Sequence, residues 1–566
     1  MEVRAHCSDM EVRRRQLARR SRSVAVLVFR VHAYRAHRQH VMLCTDSKME
    51  STAADTVSTA ATPLPLLLLA THLLLLAVLL PLVASCVLLS GSRRGKKKPA
   101  AADARRRRLP PSPRGLPLVG NVHQLGRLPH RSLRALAAAH GPVMLLRLGR
   151  VPAVVVSSGE AAREVMQAQD HVFANRPSLT IPRRLLYGCT DIAFAPHGAY
   201  WRGARKMAVR HLLGPSGVRA YRAVREQEVG ALLRRVEHAA GAGGVVPLSE
   251  LLAGFAKDVA GRMVLGLRAA GDDGWRARID ALMEESNVLL AAFHVGDYIP
   301  WLSWVSAVDG TDARVGKAFA RIDGILDEVV DEAARTRSMG SGPADVHGEA
   351  FVHVLLSMQK ELAGAEWSLT KDNIKALLED LFGAGTESEA TIIVLEWAMA
   401  ELLRDEGAMR KLQEEYLRAV IKETMRLHTP GPLLLPRESM EATRIGKAGY
   451  DVPANTMVVV NAWAIGRDPE AWESPEEFRP ERFVGSAVDF RGRHFQLIPF
   501  GEGRRMCPGV NLSMSVVELA LANLVGRFDW ALPEGEPELG MEEPPGCTSR
   551  KSVPLRAAAT RRCASK

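Results

Sequence analysis

From Ile374 the apolar residues fall at Leu377, Leu378, Leu381 and Phe382, and the pattern resumes at Ile392, Leu395 and Met399. Steps of three and four residues put these side chains on one side of a helix. The spacing predicts one very long central helix with Thr370 as its cap. Its middle, Gly383-Ala384-Gly385-Thr386-Glu387-Ser388, runs against the pattern. Glycine in a helix interior costs about 1 kcal/mol relative to alanine, and an acid and two hydroxyls suit a buried helix poorly. Such a stretch is a kink or has a use. A further apolar helix is expected from Val510 through Leu524. A helical stretch from Met409 to Glu415 runs almost directly into Tyr416-Leu417-Arg418-Ala419-Val420-Ile421. Leu, Ala, Arg and Glu dominate long segments, which favours helix. The predicted fold is mainly α with a smaller β portion, and no internal repeat is apparent.

The front of the chain has a different pattern. Leu66 to Leu89 is long enough and apolar enough to span a bilayer, with His72 and Pro81 as its only awkward members. A bilayer needs about 20 apolar residues, and the run is long for a signal peptide. Residues 64–90 are therefore expected to be a transmembrane anchor. The basic flank from Arg93 to Arg108 stays cytosolic, so the body should face the cytosol as a single-pass protein. Residues 1–48 are basic too, with eleven Lys/Arg against four Asp/Glu. Translation from Met49 would resolve the conflict. Residues 49–63, with two acids and no Lys/Arg, then form a short lumenal tail. Residues 91–117 read as a basic linker ending in Leu109-Pro110-Pro111-Ser112-Pro113-Arg114-Gly115-Leu116-Pro117. Its prolines make a stiff, extended hinge. Residues 118–566 are left as the catalytic domain.

The formal charge of +12 on 566 residues could suggest nucleic acid. It resides in the two basic blocks, +7 over residues 1–48 and +8 over residues 93–108, leaving −3 elsewhere. No nucleic-acid partner is expected. Seven cysteines, Cys7, Cys44, Cys86, Cys189, Cys507, Cys547 and Cys563, are scattered without a CxxC, which argues against a zinc site or a disulfide framework.

One cysteine stands in an unusual setting. Residues 499–509 read Pro-Phe-Gly-Glu-Gly-Arg-Arg-Met-Cys-Pro-Gly. A thiolate ligand must stay deprotonated and shielded. Gly501, Gly503 and Gly509 admit backbone close to a flat macrocycle and let amides point at sulfur. Arg505 can pair with a carboxylate arm, and Phe500 can cover the ligand side. The string resembles the Phe-x-x-Gly-x-Arg-x-Cys-x-Gly signature of the cytochrome P450 monooxygenases at every specified position. The resemblance extends from about Leu109 to the C-terminus. It includes Lys422-Glu423-Thr424-Met425-Arg426, Phe478-Arg479-Pro480-Glu481-Arg482-Phe483 and Trp201-Arg202-Gly203-Ala204-Arg205.

The resemblance implies a cytochrome P450 fold preceded by an N-terminal transmembrane helix, with haem (iron protoporphyrin IX) as cofactor. It implies Cys507 as the iron ligand and Trp201, Arg205, Arg437 and Arg505 as propionate contacts, with Phe500 and Gly509 shaping the ligand loop. Glu423, Arg426 and Arg482 would form a buried structural network behind the haem. Ala384, Gly385, Glu387 and Ser388 match the family's oxygen-activating stretch, where protons are delivered. Ser388 stands where threonine is usual, so its hydroxyl lacks the rotamer restraint of a β-branch. Implied partners are O2, a small hydrophobic substrate, a membrane (that of the endoplasmic reticulum) and an NADPH-cytochrome P450 reductase. Asn461 to Pro469 resembles the plant microsomal branch. Substrate contacts would come from Leu185–Phe194, the central helix, Pro430–Leu434 and Cys547–Arg550. A reductase-independent isomerase or dehydratase stays open, and NADPH dependence separates it. So does an inactive haem binder, because relatives carry a further loop and short helix where this chain joins Glu415 to Tyr416.

Overall fold

The computed structural model describes residues 108–562 apart from 242–243, 267–284, 287, 339–348, 363, 365–367, 387–389, 414–415 and 536–538. The chain divides into two units, residues 1–106 and 107–566, and every described residue belongs to the second. The extension 1–48, the tail 49–63, the anchor 64–90, most of the basic linker, Glu387, Ser388 and Glu415 lie outside the described residues. Among those described, no single helix is long and apolar enough to cross a membrane.

The sequence pattern places a small sheet on a mainly helical body. Val151–Val156 (β2) is a near-continuous apolar run, and four consecutive residues, Ala153 to Val156, are buried. Such a run suits a strand covered on both faces. It pairs antiparallel with Val143–Leu148 (β1) and parallel with Met457–Val460 (β6), which also takes Arg437–Glu438 (β3) antiparallel. The β1–β2 turn needs Gly149. Its φ is +59°, and a Cβ there would stand 2.3 Å from the Tyr298 carbonyl oxygen. Two small antiparallel pairs are the other strands among the described residues, Thr443–Ile445 (β4) with Tyr450–Val452 (β5), and Phe528–Ala531 (β7) with Ala558–Arg561 (β8). The proline-rich stretch is fastened to the body: Leu145 N–H donates to the Pro111 carbonyl at 2.8 Å and Arg108 N–H to Asp451 at 2.6 Å.

The helices that position the site are Ala199–Ala208 (α1), Leu248–Ala260 (α2), Thr311–Ser338 (α3), Lys371–Thr386 (α4), Ala390–Arg404 (α5), Glu406–Gln413 (α6), Leu417–Leu427 (α7) and Val510–Arg527 (α8). The predicted central helix is described as α4 and α5, on either side of residues 387–389. Thr370 caps α4 reciprocally. Its hydroxyl accepts from Asn373 N–H at 3.1 Å, and its own N–H donates to Asn373 Oδ1 at 3.0 Å. Every residue of α5 from Ile393 to Leu403 is buried, the mark of a helix enclosed on all sides. The acids within it are paired. Glu396 accepts from Ser249, and Glu401 meets His428 Nε2 at 2.7 Å and Arg404 at 3.1 Å.

Candidate active site

Cys507 is held by a knot of turns before α8. Met506 N–H donates to the Gly503 carbonyl at 3.0 Å and Cys507 N–H to the Phe500 carbonyl at 2.9 Å. Gly503 sits at φ +71°, and a Cβ there would fall 1.9 Å from the Met166 carbonyl oxygen. Glycine at 503 is thus required by packing against residues 164–168, a need separate from any macrocycle. Arg504 pairs with Asp170 at the same junction. Phe500 packs against Phe490 with ring centres 5.4 Å apart.

Burial pushes the Cys507 thiol up, while the Gly509 amide, donating to the sulfur, and the Arg205 charge pull it down. The side chain is nevertheless exposed. A thiol enclosed by protein yet exposed lines a recess. At the start of α8 the helix dipole adds to the stabilisation of a thiolate.

Four guanidinium groups gather nearby. Trp201 and Arg205 lie one turn apart on α1, with Arg205 5.6 Å from the Trp201 ring centre. Arg505 stacks over the same ring at 4.2 Å. Arg437 belongs to β3. Arg176 is a residue the sequence did not single out. All four bond to main-chain carbonyls: Arg205 to Met506 at 2.6 Å, Arg505 to Ala174, Ile192 and Ala195, Arg437 to Glu502 at 2.5 Å, and Arg176 to Ala193, Leu435 and Pro436. Burial first, and then Arg437, pushes Arg505 down to about 9. Burial likewise pushes Arg437 down to about 10. Arg437 Nη1 is buried without a partner.

These residues fit haem. Buried guanidiniums that repel one another, one with an unmet donor, call for carboxylates, and the two propionates are such groups. Cys507 in the recess beside them is the right donor type for iron.

Glu423 and Arg426 lie one turn apart on α7, both fully buried. Arg426 Nε and Nη2 donate to the two Glu423 oxygens at 2.7 and 2.8 Å. Its remaining donors reach the carbonyls of Gly466, Pro475 and Glu477. Arg482 Nε joins Glu423 at 3.1 Å. The three residues expected together are therefore together. Gly385 is in α4, one residue before its end, whereas Glu387 and Ser388 fall outside the described residues.

A second group of acids was not singled out. On α4, Asp380 Oδ2 accepts from Ile192 N–H at 2.8 Å and Ala193 N–H at 3.2 Å. Asp191 accepts from Phe194 N–H. Burial pushes Asp380 up to about 6 and Asp191 well above the carboxylate range. Glu379 beside them is buried, and neither carboxyl oxygen has a hydrogen-bond partner. The available signal was the Glu379-Asp380 pair inside an apolar helical run. The loop 191–195 is thus gripped by Asp380 through its amides and by Arg505 through its carbonyls.

The sequence model of the cytochrome P450 family matches residues 110–555. Cytochrome P450 71A1 of Persea americana is 43% identical over 464 residues, covering 78% of this chain and 91% of the relative. Norfluorocurarine oxidase of Strychnos sp is 42% identical over 475 residues, covering 79% and 92%. A zebra fish cytochrome P450 structure with progesterone superposes with a TM-score of 0.65 at 23% identity, covering 76% of this chain and 99% of that one. That likeness concerns the fold. Family members are haem-dependent monooxygenases, and this chain belongs to the cytochrome P450 family.

Proposed function

We propose that the chain inserts one atom of O2 into a small hydrophobic substrate, the other leaving as water, with electrons from NADPH through a membrane-bound reductase. The observation that carries this reading is the juxtaposition of Cys507 with buried, carboxylate-seeking arginines, above all Arg437 with its unmet donor. Cys507 supplies the thiolate, and the Gly509 amide moderates the charge on sulfur. Arg205, Arg437, Arg505 and the Trp201 indole hold the propionate edge. Bound there, haem supplies the iron that activates oxygen. Glu387 and Ser388 supply protons beside the substrate, with Gly385 opening the helix groove for water. Glu423, Arg426 and Arg482 hold the ligand loop's support in register. That network is complete although α7 begins right after the short Glu415–Tyr416 join, which favours an active enzyme over an inactive haem binder.

The body is proposed to sit at the endoplasmic reticulum membrane, anchored by residues 64–90 and facing the cytosol. Exposed Trp301, Trp304, Phe293 and Val308 offer a second apolar contact. The reduced protein should give a red-shifted carbon-monoxide band that Cys507→Ala abolishes, and turnover should require NADPH and a reductase. An unchanged band in the variant would defeat the ligand assignment, and turnover without NADPH would favour an isomerase.

A further inference from the structure

Glu379 lies on α4 between two residues that face the segment 187–194. One turn earlier, Lys375 Nζ stands 5.1 Å over the Tyr187 ring and bonds Asp323 and Asp327. One residue later, Asp380 binds the amides of Ile192 and Ala193. The Glu379 carboxyl therefore points beneath this segment, and Gly383 follows one turn further along the same side. Burial disfavours its ionised form first, and the charges of the neighbouring Asp191 and Asp380 add to this. Its side chain is 4% exposed, yet both oxygens lack partners. An unpartnered buried polar group costs about 1–3 kcal/mol. A leucine would fill such a position in an apolar helix without that cost.

We propose that Glu379 is a specificity-determining residue: its carboxyl receives the protonated amine of a hydrophobic amine substrate. This rests on the reading that the segment 187–194 and α4 bound the substrate pocket. Both carboxyl oxygens are free acceptors, Asp191 and Asp380 adjoin them, and the Lys375 ammonium one turn away is already held by Asp323 and Asp327. On binding, the ammonium donates to Glu379, and any proton the carboxyl carried is released to solvent.

The test uses the purified, haem-loaded full chain. Equilibrium dialysis measures binding of dimethyl(phenylpropyl)amine and of its carbon isostere, isohexylbenzene. The wild type should favour the amine by about tenfold or more, the effect of one charge-assisted hydrogen bond. Glu379→Gln and Glu379→Leu should lose that preference and keep the affinity for the isostere. A wild type that binds both probes equally overturns the proposal without recourse to any variant. Variants that keep the full amine preference overturn it as well. In either case an intact carbon-monoxide band leaves the monooxygenase reading standing. A chain that loads no haem overturns both.

Discussion

Arg426 directs all five of its N–H groups into protein acceptors, and two of them form a fork onto the two oxygens of Glu423. Glu423 in turn accepts from Arg482 Nε and from Arg479 N–H at 2.7 Å. Two residues of α7 thereby tie the segment 466–482 to the helix. Both side chains are wholly buried, so neither can exchange a lost partner for water.

Arg426→Lys should therefore be severe although it keeps the charge. Lysine has three donors on one nitrogen and no planar fork. It would leave carbonyls of Gly466, Pro475 or Glu477 unmet. The expected loss is about 3–5 kcal/mol, as for breaking a buried pair, seen as a collapsed yield of protein with the carbon-monoxide band. A variant with wild-type yield and melting temperature would show that the network is dispensable.

Arg437→Met should act with opposite signs on two measurements. In the haem-free protein it removes a buried charge that repels Arg505 and Arg176, and removes an unmet donor. Relief of that repulsion should outweigh the bond lost by the Glu502 carbonyl, so stability to denaturant should hold or rise by about 1 kcal/mol. With haem bound, a carboxylate partner is lost, so haem should transfer to an apo-globin acceptor about tenfold faster or more. Slower or equal transfer would place the propionates away from Arg437.

Much of this site was legible in the sequence where the relationship is local. Trp201 and Arg205 share a face because they are four residues apart. Thr370 caps α4 because its hydroxyl can reach the third amide along. Glu423 and Arg426 meet for the same reason. Relationships across the chain were not legible. β2 pairs with β6 some 300 residues later, Val156 opposite Val460, and alternation in neither strand names its partner. Arg176 was missed because its partners are carbonyls of residues 193, 435 and 436, and no side-chain pattern advertises a carbonyl. The prolines before Val119 predict an extended stretch, since they fix φ. Their docking on β1 depends on Leu145, which no local rule connects to them.

Deleting residues 64–90 should release much of the protein from membranes without removing its haem, because about 20 apolar residues supply the spanning element. Partial retention through Trp301 and Trp304 is expected. Identical fractionation with and without the segment would exclude it as the anchor.

Glu387→Gln and Ser388→Ala should each uncouple NADPH use from product. Proton delivery needs an acid, a hydroxyl and room for water, and neither group is the thiolate donor. NADPH should still be consumed, with more hydrogen peroxide and less product per electron pair. Ser388→Thr should match or improve the starting coupling, since the β-branch restrains the hydroxyl. Unchanged ratios in both loss variants would make this stretch a structural kink.

Asp380→Asn should stabilise the protein, and increasingly so as pH rises. One oxygen, Oδ2, accepts both the Ile192 and the Ala193 amides, so asparagine can keep both bonds through its carbonyl oxygen while losing the charge. Burial pushes the Asp380 carboxyl from its ordinary value of 3.8 up to about 6. A group whose folded pKa is raised holds more protons when folded. Its contribution is therefore intact below the unfolded value and is lost as pH rises through about 6. The neutral variant escapes that loss, so the gap in unfolding free energy should open by at most about 1.4 kcal/mol per pH unit between the two values. His428 works in the other direction. Burial lowers it below 6.5, so its stability is intact above that value and is lost as pH falls. The two trends overlap in the wild type, and subtracting variant from wild type at each pH removes the histidine. Denaturant titrations at a series of pH values measure the difference. A gap that stays flat, or that widens toward acid, would mean that Asp380 is already ionised at low pH and that its two amide bonds outweigh its burial.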